Sequence, residues 1–223
     1  MNIINEKITE YFNSFYQPVR PSLGALRERC EADRIPLILR ETEMFLRTFL
    51  EILQPSSVLE IGTAYGYSSL FFAGVLPEAR ITTIEISPEM AEIAAQNIRE
   101  EGCEDRIRVL NGEGASVLDR LCADGDPERY DMVFLDAAKS HYRDFFDRAE
   151  KLAVPGAVFV CDNILMNAWL VDSSTDKRRR HRTSVTRMHE FLDYLYSRKD
   201  LSVSLLSCGD GLAIIKLYDR KQD

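Results

Sequence analysis

From residue 58 onward the chain alternates short apolar runs with stretches of helical length, and no other feature constrains its fold as tightly. A run that is apolar at every position has no polar face to turn to water. It suits a strand covered on both sides, and such strands belong to parallel sheets joined by helical crossovers. Residues 58–61, 81–86, 107–110, 132–135 and 157–161 read as five strands of this kind. The clearest helix start between them is Ser87-Pro88-Glu89, where Ser87 caps, Pro88 suits the first turn and Glu89 meets the positive helix end. Past the fifth run, a polar and basic stretch over 172–182 leads into a helix near 183–198. Two further runs, 201–207 and 212–218, then flank Cys208-Gly-Asp-Gly211. An Asp-Gly turn between apolar runs predicts an antiparallel hairpin. The expected fold is α/β, a seven-stranded and mostly parallel sheet that ends in an antiparallel pair, with helices on both faces.

Residues 1–54 read as helical with breaks near 18–21 and at Pro36. The expected organisation is an N-terminal helical extension over 1–54 and a main domain over 55–223, forming one structural unit. Composition matters for what it excludes. With 28 Lys+Arg against 36 Asp+Glu the formal net charge is −8, which argues against non-specific coating of nucleic acid and still allows a local basic patch. The 5 cysteines, at 30, 103, 122, 161 and 208, form an odd set without CxxC pairs or histidines at ligand spacing, so neither a disulfide framework nor a zinc site is suggested. The first residues, MNIINEKITEYF, lack a basic region ahead of an apolar run, and no stretch is long and apolar enough to span a membrane. A cytoplasmic location in a reducing compartment is expected.

The segment Val58-Leu-Glu60-Ile-Gly62-Thr-Ala-Tyr-Gly66-Tyr-Ser68 sets a strand directly before a glycine-bearing turn that opens a helix, the arrangement of a nucleotide pocket. Its spacing, Glu-x-Gly-x-x-x-Gly, lacks the tight pyrophosphate turn of Gly-x-Gly-x-x-Gly, which disfavours a nicotinamide oxidoreductase. Glu85 stands 23 residues after Gly62 at the end of the second strand, where it can accept hydrogen bonds from both ribose hydroxyls.

With these residues the chain resembles the class I S-adenosylmethionine-dependent methyltransferases, which have a Rossmann-like fold. Its wording is similar to the metal-dependent O-methyltransferases that include catechol and caffeoyl-CoA enzymes. The resemblance runs roughly from Arg20 to Leu217. It implies that Glu60, Gly62 and Ser68 cradle the methionine end of the cofactor, that Glu85 holds the ribose and that the turn carrying Glu113 and Gly114 binds adenine. Leu37 and Asp136 join that cofactor set, and a homodimer is the implied assembly.

Asp136 follows the fourth strand in Phe134-Leu-Asp-Ala-Ala-Lys139, and Asp162-Asn163 follows the fifth. All three project from carboxyl ends of neighbouring strands. Two carboxylates and an amide oxygen are hard ligands that suit Mg²⁺ or another oxygen-preferring cation and leave about three of six octahedral positions open. A strand-end acid is also a common helix cap, but the DxxK and DN pair together belong to the resembled family. Asp136 and Lys139 are the candidate catalytic residues, with Lys139 at the position of the general base in the catechol enzymes. A lysine on a helix start is otherwise a solvated residue.

The N-terminal half, with Arg20-Pro21 and Ile35-Pro36-Leu37, looks most like a bacterial branch that includes tRNA 5-hydroxyuridine methyltransferases. A 5-hydroxyuridine carries two oxygens on adjacent ring carbons and can chelate a metal as a catechol does. The wobble base of tRNA, giving 5-methoxyuridine, is therefore the first expected acceptor, and a small catechol or hydroxycinnamoyl-type molecule the second. Arg178, Arg179, Arg180 and Arg182 form a basic run suited to phosphate, or else a solvated loop. Trp169 is a candidate to line the acceptor pocket or stack a base, or else a packing residue.

Overall fold

The computed structural model describes residues 6–123, 129–172 and 181–218. Helices α1 (Glu6–Asn13), α2 (Pro21–Ala32) and α3 (Arg40–Leu53) come first, separated where the prolines stand. Strand and helix then alternate through β1 (Ser57–Ile61), α4 (Tyr67–Val75), β2 (Arg80–Glu85), α5 (Pro88–Glu100), β3 (Ile107–Asn111), α6 (Gly114–Ala123) and β4 (Tyr130–Leu135). A 3-10 turn (Lys139–His141) leads to α7 (Tyr142–Ala149), β5 (Ala153–Asp162), α8 (Arg182–Ser197), β6 (Leu201–Leu206) and β7 (Leu212–Leu217). The Ser87 hydroxyl accepts the Met90 amide at 3.3 Å with Pro88 in the first turn of α5, so that helix starts as its sequence predicts.

The seven strands lie in the order β3-β2-β1-β4-β5-β7-β6. The first five are parallel, and β7 runs antiparallel to both β5 and β6, with Leu206 opposite Leu212 across the expected hairpin. Alternation of side chains explains the unbroken apolar runs. On β4, Met132 and Phe134 pack into a core with α2–α5, while Val133 and Leu135 pack into a second core with α6–α8. The chain leaves β1 toward β2 and β3 on one side and returns to β4 on the other. This reversal opens a crevice at the carboxyl ends of β1 and β4, where open α/β sheets bind ligands. Among the described residues no helix is long and apolar enough to cross a membrane.

Candidate active site

Gly62 ends β1 with φ +105, and a Cβ there would lie 2.2 Å from the Asp136 carbonyl oxygen. The turn thus lies against the end of β4 backbone to backbone. Gly62 N donates to Ile84 O at 3.0 Å and Asp136 N donates to Ile61 O at 3.0 Å, which ties the ends of β1, β2 and β4 together. The turn opens a cavity of about 470 Å³ that also takes in Leu37, Glu85, Glu113 and Phe145.

Each of these residues is placed by a local device. The Glu85 carboxylate accepts Ala64 N at 2.8 Å on one oxygen and Ser87 N at 2.9 Å on the other. An ionised carboxylate has about four acceptor directions, so each oxygen keeps one for a ligand. Glu113 accepts the Ser116 hydroxyl at 2.7 Å and the backbone amides of Ala115 and Ser116, bonds that hold its carboxyl below the usual range and fix the start of α6. A Cβ on Gly114 would meet the Phe145 ring at 2.8 Å, so the turn lies flat on that ring. Ser68 lines the cavity, whereas Glu60 is fully buried behind it and accepts hydroxyl bonds from Ser68, Ser69 and Thr83. Burial, opposed by those three hydroxyls, pushes Glu60 up to about 7.

A second cavity of about 490 Å³ shares Pro36, Leu37 and residues 136–138 with the first. At the junction Lys139 Nζ donates to Asp136 Oδ1 at 2.8 Å, Tyr142 Oη at 2.8 Å and Asn163 Oδ1 at 2.9 Å. The Tyr142 hydroxyl reaches the carbonyls of Leu135 and Asp162, both at 2.9 Å. It is fully buried, and burial, reinforced by nearby Asp136, holds its pKa well above the ordinary value. Asp162 is also fully buried. Its Oδ1 accepts Asn163 N at 2.7 Å, while Oδ2 has no partner among the described residues. Burial, then the charge of Asp136, pushes its carboxyl well up.

Among the described residues no group of three or more His, Cys, Asp or Glu side chains is arranged to hold a metal ion. The set here is two carboxylates and an amide. An orphaned carboxylate oxygen beside a second acid is relieved by a cation, and three oxygen donors suit a hard one, so Asp136, Asp162 and Asn163 fit a divalent ion.

The second cavity continues over Met166 and Trp169, whose indole stacks on His181 with centroids 4.0 Å apart and planes at 17°. Arg182 is exposed at the start of α8, off the cavity lining, and Arg178, Arg179 and Arg180 lie outside the described residues. Sequence reasoning missed Tyr142, although its spacing of three from Lys139 puts both on one side of a helical turn. It also missed a cluster of buried Arg27, Glu43 and Tyr67 with half-buried Tyr16 next to residues 36–38, whose members stand too far apart in sequence to signal one another.

Residues 23–218 match the model of the O-methyltransferase family. The chain is 32% identical over 178 residues to the caffeoyl-CoA O-methyltransferase of Populus kitakamiensis, covering 77% of this chain and 74% of that protein. Matches to the O-methyltransferase imqG of Aspergillus flavus (40% identical, 51% of this chain) and the catechol O-methyltransferase of Niastella koreensis (32% identical, 59% of this chain) span 47% and 59% of those proteins. The chain thus spans about half the length of these two relatives. The crystal structure of TomG from Streptomyces achromogenes, an O-methyltransferase in complex with SAM, superposes with a TM-score of 0.80 at 27% identity, covering 95% of this chain and 96% of that one.

Proposed function

The chain belongs to the O-methyltransferase family, and on that premise we propose that it moves a methyl group from S-adenosylmethionine to one of two adjacent oxygens on a small aromatic acceptor of the catechol or hydroxycinnamoyl type. One observation carries the reading. Two cavities of similar size meet at residues 136–138, where a lysine ammonium is held by a carboxylate, an amide and a phenol.

The donor takes the cavity of the glycine turn. Glu85 has a spare acceptor direction on each oxygen for the two ribose hydroxyls, and Glu113, Gly114 and Phe145 line the same cavity where adenine would lie. The SAM held by TomG supports this choice. The acceptor takes the second cavity, where Met166 and Trp169 give its ring apolar area. Asp136, Asp162 and Asn163 would hold a divalent cation, which would supply Lewis-acid chemistry that lowers the pKa of the acceptor hydroxyl. Lys139 Nζ, after passing one proton to solvent, takes the hydroxyl proton of the acceptor. The new O–C bond forms as the C–S bond of the donor breaks, and S-adenosylhomocysteine leaves. The resulting ammonium is stabilised where it stands by Asp136 Oδ1, Asn163 Oδ1 and Tyr142 Oη.

A wobble uridine would obey the same chemistry, but the relatives carry catechol and caffeoyl-CoA names. The small acceptor is therefore preferred. Purified protein with S-adenosylmethionine and Mg²⁺ should convert catechol or caffeate to a methyl ether seen by mass spectrometry. EDTA should stop turnover and added Mg²⁺ restore it. Methylation of tRNA carrying 5-hydroxyuridine, with none of the small acceptors turned over, would overturn the preference.

A further inference from the structure

Residues 36–38 form a strap between the two cavities and a third space of about 240 Å³ on its far side, bordered by Thr9, Asn13, Ile35 and Leu39. Leu37 lines all three. Ile38 is buried in the apolar core, but Leu37 is only half-buried with open space on either side, so the strap's polar tethers matter as well. At its ends Ile35 N donates to Cys30 O at 2.9 Å and Glu43 N to Leu39 O at 2.9 Å. In the middle Arg27 Nη2 donates to Ile38 O at 3.0 Å.

Arg27 is almost fully buried, as are its partners Glu43 and Tyr67. Its guanidinium pairs with Glu43 Oε2, and its Nε reaches Tyr67 Oη at 3.1 Å and Tyr16 Oη at 3.2 Å. The two phenols in turn donate to Glu43, at 2.8 Å from Tyr67 and 2.9 Å from Tyr16. Tyr67 opens α4 directly after the glycine turn and lines the donor cavity. One cation thus bonds the strap to α3 and to the helix that follows the donor turn. A buried ion pair gains little stability over an apolar pair of equal volume, so what this one adds is direction.

We propose that Arg27 is a positioning residue for methyl transfer, fixing Leu37 and Ile38 so that donor and acceptor meet in register. This rests on the methyl-transfer reading above. Arg27→Lys keeps the charge against Glu43 but has no fork to reach Ile38 O as well. With protocatechuate, whose two hydroxyls are inequivalent, this variant should keep a melting temperature and cofactor affinity close to the parent's. Its kcat should fall by at least about tenfold, because misplacing reacting atoms by 1 Å costs more than that. The ratio of the two monomethylated isomers should move toward even. Should Arg27→Lys not fold, the charge-neutral pair Arg27→Met with Glu43→Gln tests the same point. A folded variant with the parent's isomer ratio overturns the inference even if it melts lower, since the cluster would then serve stability alone. A parent protein that binds cofactor but yields neither isomer overturns the methyl-transfer reading, and this inference with it.

Discussion

Glu60 is held inside the protein by three hydroxyls, and among the described residues no ion pair reaches it, so folding raises it from 4.5 to about 7, mainly through burial. The folded state then binds a proton that the unfolded state has released. This contribution to stability is complete below the unfolded pKa and is lost as pH rises from about 4.5 to about 7. By linkage the loss is on the order of 3 kcal/mol above that window. Glu60→Gln imitates the protonated form at every pH. Urea unfolding at pH 5 and pH 8 should give a difference, variant minus parent, that grows in favour of the variant by about 2–3 kcal/mol, and a difference that stays flat would mean the carboxyl is charged when folded. Residues of this region are legible in sequence when they stand next to a backbone irregularity. Gly62 marks Glu60, Asn163 marks Asp162, and Glu85 closes an apolar run. Arg27 and Glu43 are not legible, because a charge on a helix ordinarily faces water and nothing local says that these two face each other across 16 positions.

At the level of elements the glycine turn carries the largest constraint. Gly62 has φ +105 and would press a Cβ into the Asp136 carbonyl, whereas Gly66, at φ +80, would bring a Cβ to 3.3 Å from the Ala94 side chain. Gly62→Ala must therefore part β1 from β4, while Gly66→Ala strains its own backbone and asks only a few tenths of an ångström of Ala94. The expected losses are more than about 2 kcal/mol and about 1 kcal/mol respectively. Denaturant unfolding gives both values, and equal losses would show that the end of β4 yields freely. The hairpin and the start of α5 follow from local turn and capping chemistry, so sequence suffices for them. The start of β5 does not. Ala153 pairs with Tyr130 although Pro155 and Gly156 interrupt the apolar run, and the register shifts before Val158 meets Met132. A Pro-Gly pair reads as a break in sequence, and only the neighbouring strand decides that pairing continues past it. β3 departs in another way: it is an edge strand, and its burial falls off after Ile107.

The donor cavity is a property of the whole molecule, because it takes residues from the strap at 36–38, the glycine turn, the ends of β2 and β3, and the segment from Asp136 to Phe145. No part of it exists in the unfolded chain. A ligand that fits it must stabilise the protein as a unit, by RT ln(1 + [L]/Kd), or about 2.7 kcal/mol at a hundred times Kd. In a chain of 223 residues each kcal/mol raises the melting temperature by about 2–4 °C. Saturating S-adenosylmethionine or S-adenosylhomocysteine should therefore raise it by about 5–10 °C. NADH should leave it unchanged, since the turn lacks the glycine spacing that grips a pyrophosphate. The comparison is decisive in both directions. A shift with NADH alone would return the fold to the dinucleotide-binding reading, whereas a shift with the sulfonium donor that survives EDTA would separate cofactor binding from the cation that Asp136, Asp162 and Asn163 are suited to hold.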